Sequence, residues 1–388
     1  MQSITLKSKI EEHKIFWFVS LILLCIVVRF IIGAVFSPYD EFDFRQELLT
    51  GEIAASGRNV YAEQKHYNYG PIFFIILGLF YKAASYFPNN VLAFKLMLTS
   101  ILTFADILTA ILIAKKAGLK WGILFFWNPI SLHVGAYTSQ FDALTFTFAA
   151  YGINFLEESS KSKSITLNDV YGIILLSLSF ITKHILWAFP LWILFSTRID
   201  SRKKIIYAFI PPLLFLLSFI PYWNEGQQGI MNNVFLYRSG KNFPLIAFGF
   251  IKYTLGRLLP MLRKISFPAF PVYVILISLS GYVFRHEKVY NLFLLYTMAM
   301  VCFASGIYEN YFTIPLMAIF IFSHSNSIPQ GWLPKFLYFL FYFIRPRLIV
   351  ESNLRDLDCL HVKCALMVWC LLYYLVYYYN NKVKRKFS

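Results

Sequence analysis

The feature that most limits what this chain can fold into is its series of apolar runs, joined by short basic loops. The first run, residues 15–36, is about as long as a helix that spans a bilayer. Further runs lie at about 71–86, 92–114, 121–138, 143–157, 170–182, 184–197, 205–222, 267–284, 289–305, 311–323, 334–344 and 362–379. A segment in lipid must satisfy its own backbone hydrogen bonds, so only helices and closed barrels can cross. The runs lack the alternation of barrel strands. The sequence therefore predicts an all-α, polytopic transmembrane helical bundle of about 10–13 spans, forming one integral membrane domain over residues 1–388.

Composition agrees. Charged residues make up 14% of the chain, against about 25% in soluble proteins. Lys and Arg number 36 against 20 Asp and Glu, a net charge of +16. These basic residues sit beside apolar runs, so they read as topology signals and lipid-headgroup contacts, with no nucleic acid implied. The five cysteines show no metal-ligand spacing and read as buried thiols.

Lys7, Lys9 and Lys14 precede the first run and no small-residue cleavage site follows it, which predicts a retained helix with a cytoplasmic N-terminus. Lys115, Lys116 and Lys120 mark one cytoplasmic loop, Lys161 and Lys163 a second, Arg198 to Lys204 a third, and Arg285 with Lys288 a fourth. Lys382 to Lys386 mark a fifth. Parity then requires the short run 71–86, which carries Lys82, to be interfacial or re-entrant. Loop 37–70 becomes external, as do the turns at 139–142, at Lys183–His184 and at 306–310. Segment 223–266 is external too, and 243–264 reads as an amphipathic helix on the outer face.

Polar residues collect in these external parts. The first loop holds Asp40, Glu41 and Asp43, then Gly57, Tyr61, Tyr67, Tyr69, Gly70 and Pro71. A carboxylate at the mouth of a membrane cavity can accept a proton from a sugar or lipid hydroxyl; such residues also occur in ordinary solvated loops. Asn128 and Pro129 interrupt a run, and Gln140 and Asp142 stand in the next turn, where Asp142 would also serve as a helix cap. Lys183 and His184 would either bind a phosphate or snorkel to headgroups. Arg238 and Lys241 would clamp a lipid phosphate or form a loop charge pair. Glu309 lies between Tyr308 and Tyr311. Asp106, inside a span, either pairs with another helix or has no catalytic part.

Together these stretches resemble the GT-C superfamily of integral membrane glycosyltransferases, which use polyprenyl-phosphate sugars. The resemblance rests on the acidic first loop ending in Gly57, Tyr61 and YNYGP at 67–71. It continues through FADILTA at 104–110, Asn128, Pro129, Gln140 and Asp142, then TKHI at 182–185 and YENY at 308–311. Ser139 stands where the family usually has Gly, and Tyr308 where it has His.

The resemblance implies a catalytic carboxylate at Asp43, with Asp40 second, and a substrate site of Tyr67, Tyr69, Gln140, Asp142, Lys183, His184 and Glu309; Arg238 and Lys241 join this site from the chemistry of their loop. It implies transfer of a hexose, mannose or glucose, from a polyprenyl-phosphate donor to a lipid-linked glycan or other acceptor. Gln140 and Asp142 would position sugar hydroxyls or help bind a divalent metal, Mg or Mn. The expected location is a bacterial plasma membrane or the endoplasmic reticulum, with the site on the non-cytoplasmic face. A lipid-linked-saccharide flippase or an O-antigen-type polymerase is the alternative reading. A flippase should keep charged residues along a path to both faces.

Overall fold

The computed structural model describes residues 2–36, 39, 42–160, 162–236, 242–244 and 266–303. Over these residues the chain is helical, apart from turns, loops and two short extended segments, Asn242–Pro244 (β1) and Ser266–Pro268 (β2), which pair antiparallel. The expected amphipathic helix at 243–264 thus begins in extended chain, and its residues from 245 onward lie outside the described residues. The runs at 311–323, 334–344 and 362–379 also lie outside them.

Ile15–Phe36, Asn90–Ala117 and Ser201–Phe235 are long and apolar enough to cross a membrane. Leu167–Thr182 and His184–Phe195 meet the same test only when taken together, and the two helices are bent by 111° at their junction. Among the described residues this is fewer than the expected count, because several runs are interrupted. Run 121–138 is cut at Asn128 into Leu119–Phe126 (α6) and Pro129–Leu132 (α7), since proline cannot continue the preceding helix.

The packing order defines two ends. Helix α1 (Gln2–Ile31) lies against α6 and α5 (Asn90–Ala117), with Phe18 near Gly122. Helix α8 (Asp142–Ser159) packs on α9 (Leu167–Thr182), and Gly152 faces the Gly172 carbonyl. Small residues here let two backbones approach closely. Helices α10 (Phe189–Phe195) and α11 (Ser201–Leu217) follow, and α13 (Ala269–Val283) and α14 (Val289–Phe303) close the bundle over Trp192, whose indole donates to the Ile277 carbonyl at 2.9 Å. (The short helix between α11 and α13 is α12, Trp223–Gly229.)

At one end the basic loops meet. Lys116 Nζ donates to Tyr290 Oη at 3.0 Å, and Arg198 Nε to the His286 carbonyl at 3.0 Å. Lys203 Nζ lies 3.0 Å from the Asp169 carboxylate, which also accepts from Ser159 and Tyr207. Loops 115–120, 198–204 and 285–288, and the described residues Ser162 and Lys163, expected to share a side, therefore share an end of the bundle; Lys161 lies outside the described residues.

The first-loop helices lie at the other end. Helix α2 (Phe42–Ala55) packs closely on α4 (Pro71–Ala84), Gly51 against the Leu77 carbonyl and Gly78 against Ala54. The start of α4 abuts the last turn of α9, and its far end reaches Phe94 in the first turns of α5. Both ends of α4 are thus at the same end of the bundle, which fits the interfacial or re-entrant reading of 71–86. Helix α12 joins this end by resting Gly226 and Gly229 on Tyr61, and Asn59 Nδ2 donates to the Tyr222 carbonyl at 2.9 Å.

Asp106 finds its partner in Arg29 of α1. The two are buried 2.6 Å apart, Ser131 bonds both, and Arg29 also donates to the Phe126 carbonyl at 3.1 Å. Ionisable groups at such depth normally pair with one another and with backbone carbonyls. Arg29 locks α1, α5 and the α6–α7 break together, a structural task for which the apolar run around it gave no sign.

Candidate functional site

The site is assembled by a short anchored segment. Helix α2 ends at Gly57, whose φ of +74° closes a Schellman turn: Arg58 N–H bonds the Ile53 carbonyl at 3.2 Å and Gly57 N–H the Ala54 carbonyl at 3.1 Å. Asn59 caps the one-turn helix Val60–Glu63 (α3) by accepting from Tyr61 N–H at 3.0 Å. Tyr61 Oη donates to the Tyr69 carbonyl at 2.9 Å. Tyr67 Oη donates to the Gly70 carbonyl at 2.7 Å and accepts from Phe74 N–H at 3.1 Å, so one phenol holds the entry to α4. Burial pushes the pKa of Tyr61 and Tyr67 well above the usual phenol range, so both stay neutral donors. Gly70 is pressed on the Ile181 carbonyl, too close for any Cβ. The YNYGP segment is therefore the clamp that fixes the first loop to the end of α9.

This clamp leaves a cleft lined by Asp43, Gln46, Glu47, Gln64, Tyr67, Tyr69 and Gln140, among others, with about 450 Å³ of empty space counting its open mouth. Asp43 stands in the first turn of α2, where the helix N-terminus favours negative charge, and is accessible to solvent. Gln140 Nε2 donates to its carboxylate at 2.8 Å, joining residues 97 apart in sequence. Gln140 is delivered by a turn in which Ser139 takes φ +57°, with Gln140 N–H bonded to the Val134 carbonyl at 2.8 Å. The left-handed region costs a non-glycine residue about 1–2 kcal/mol. The buried Ser139 hydroxyl finds no partner among the described residues. Ser139→Gly is expected to raise unfolding free energy by about 1 kcal/mol, the relief exceeding glycine's entropic penalty. Denaturant or thermal unfolding of the two proteins in the same detergent checks it; equal or lower stability of the variant refutes it.

Tyr69 and Phe141 form a wall of the cleft, their rings 4.6 Å apart edge to face. Behind it Lys183 Nζ lies 5.2 Å from the Tyr69 ring centre and 5.0 Å from that of Phe141. Lys183 is buried and bonds both oxygens of Asp142, at 2.8 and 2.9 Å. Asp142 is the first residue of α8 and does not cap it; Phe141 holds the cap position. The two residues read separately from sequence, one as a turn or cap residue and one as a phosphate ligand, are a single ion pair. His184 follows the bend, its ring 5.4 Å from that of Phe215, and does not line the cleft.

The structure thus brings Asp43, Tyr67, Tyr69 and Gln140 to one cleft, with Asp142 and Lys183 one ring's thickness behind. Asp40, Arg238, Lys241 and Glu309 lie outside the described residues. A cation at Gln140 and Asp142 does not fit: the amide presents N–H to Asp43, and an ammonium already holds both Asp142 oxygens. Among the described residues no group of three or more His, Cys, Asp or Glu is placed to hold a metal ion. Glu47 and Gln64 were not anticipated. Glu47 is four residues after Asp43, a helical spacing that places both on one face and was available as a signal. Gln64 carried no such signal.

No family model, curated protein or solved structure matches this chain.

Proposed function

We propose that the protein is an integral membrane glycosyltransferase that moves a hexose from a polyprenyl-phosphate donor to a hydroxyl acceptor on the non-cytoplasmic face, with inversion. The observation that carries this reading is the accessible Asp43 carboxylate, oriented by Gln140 in a cleft walled by Tyr67 and Tyr69, at the end of the bundle away from the basic loops. Basic loops favour the cytoplasm, and this tendency supports a cleft on the opposite side.

Asp43 takes the proton of the acceptor hydroxyl as its oxygen bonds the anomeric carbon. The bond from that carbon to the phosphate oxygen breaks, and polyprenyl phosphate leaves with the electron pair. Gln140 fixes the direction of the base, as a positioned general base requires. Lys183 lies beyond the aromatic wall in a neutral pair with Asp142, and would aid the departing phosphate only by turning its ammonium from that carboxylate. Mannose or glucose as the sugar, and a lipid-linked glycan as acceptor, follow from the resemblance alone.

One observation favours carriage across the membrane. Lys95, Thr99, Thr103, Asp106 and Thr109 form a buried polar row on α5 that begins near the cleft end and reaches past the middle of the helix. That row is closely packed and its one carboxylate is paired with Arg29. The decisive experiment is incubation of purified protein in proteoliposomes with radiolabelled polyprenyl-phosphate mannose or glucose and a lipid-linked glycan. Glycosylated product with release of polyprenyl phosphate is the expected result. Movement of unaltered lipid between leaflets without product would replace the transferase reading by the carrier one.

A further inference from the structure

We propose that the inner part of the cleft is a neutral-sugar subsite in which Glu47 and Gln64 bind adjacent hydroxyls of a hexose ring; this deepens the transferase reading and rests on it for the identity of the ring. Glu47 lies one helical turn beyond Asp43, and its side chain is buried while Asp43 is exposed. Gln64 is 3% exposed. Its Oε1 accepts from His66 N–H at 3.2 Å, and its Nε2 is buried with no partner among the described residues, in a side chain that lines the cleft. Gln46 Oε1 is likewise without one. A buried amide donor without a partner, in a residue at the cleft wall, calls for an acceptor.

The chemistry of the lining selects among ligands. A metal ion offers no acceptor and cannot satisfy the Gln64 amide. A phosphate would meet the two carboxylates, Asp43 and Glu47, and be repelled. A pair of adjacent sugar hydroxyls both donates and accepts: one O–H donates to the Glu47 carboxylate, and a neighbouring oxygen accepts from Gln64 Nε2. Tyr67, Tyr69 and Phe73 also line the cleft and give it an aromatic wall against which the C–H side of the ring would lie. Binding pockets commonly join such a wall to a few polar groups that fix orientation. Glu47 and Gln64 would thus select the ring by the placing of its hydroxyls, with Asp43 left at the mouth for proton transfer.

The test is saturation-transfer NMR on the full chain in nanodiscs with methyl α-mannopyranoside and methyl α-glucopyranoside. Wild type is expected to bind at least one of them. Glu47→Gln and Gln64→Glu, both close in shape to the native residues, are expected to weaken that binding by about 10-fold or more, the effect of losing one well-made hydrogen bond to a charged group or of turning a donor into an acceptor. Glu52→Gln, an exposed carboxylate of α2 outside the cleft, should bind as wild type does. Thermal unfolding of each variant separates loss of binding from loss of fold. Should one variant unfold, the other decides. Folded wild type that binds neither hexoside, or folded variants that bind equally well, would overturn the subsite even if sugar transfer is observed. Hexoside binding lost in the variants, without any transfer from polyprenyl-phosphate hexoses, would keep the subsite and remove the transferase reading.

Discussion

Asp43→Asn is expected to lower sugar transfer by about 10²–10⁴-fold, the usual contribution of a positioned general base. The fold should survive. Asp43 is exposed, its one hydrogen bond among those described is accepted from Gln140 Nε2 at 2.8 Å, and the asparagine oxygen can accept the same bond. Surface substitutions of this kind change stability by about 0.5 kcal/mol or less. The loss should therefore appear in kcat, with donor binding largely kept, because the amide has the shape of the carboxylate but cannot take the proton. Gln140→Leu should have a milder effect, since it removes the group that orients the base and leaves the base itself. Transfer assays at saturating donor, with thermal unfolding run in parallel, test both. Full activity of Asp43→Asn would remove Asp43 as the base.

The second large effect concerns the pair behind the wall. Lys183→Met leaves the Asp142 carboxylate buried beside aromatic rings without its counter-charge, and Asp142→Leu leaves an ammonium there. Breaking a buried pair from one side costs about 3–5 kcal/mol, whereas replacing both partners by apolar groups is often neutral. Each single variant should thus be strongly destabilised and the double variant should return near wild type. A double-mutant cycle measures the coupling directly. Two single variants as stable as the parent would show that the pair does not carry this energy. The stable double variant then separates scaffold from function: if Lys183 also serves the departing phosphate, the protein will fold yet transfer poorly, and a double variant with normal turnover would confine the lysine to structure.

Several parts of this arrangement could be read along the chain. The dipeptide Lys183–His184 between two apolar runs marked a turn, and the helices there bend by 111°. Asn128 and Pro129 marked a break, and α6 stops at Phe126. The charge parity that set run 71–86 apart from the spans agrees with a helix whose two ends meet the same end of the bundle. The partners of the polar residues could not be read. Asp106 gave no hint of Arg29, 77 positions earlier, nor Asp142 of Lys183, 41 positions later. Glu47 was passed over because a carboxylate in an acidic loop looks like solvated charge until the loop is seen to fold as a helix against α4.

By itself the sequence determined that the apolar runs among the described residues are largely helical and that their basic loops gather at one end, since both follow from local hydropathy and the cost of moving charge across lipid. Tertiary structure alone decided that Asp43 meets Gln140, that Lys183 is held by Asp142, and that Gln64 joins the lining of the cleft. These contacts depend on how closely helix backbones approach, as at Gly70 on Ile181 and Gly152 on Gly172, and that distance is a property of packed surfaces which no local pattern of residues encodes.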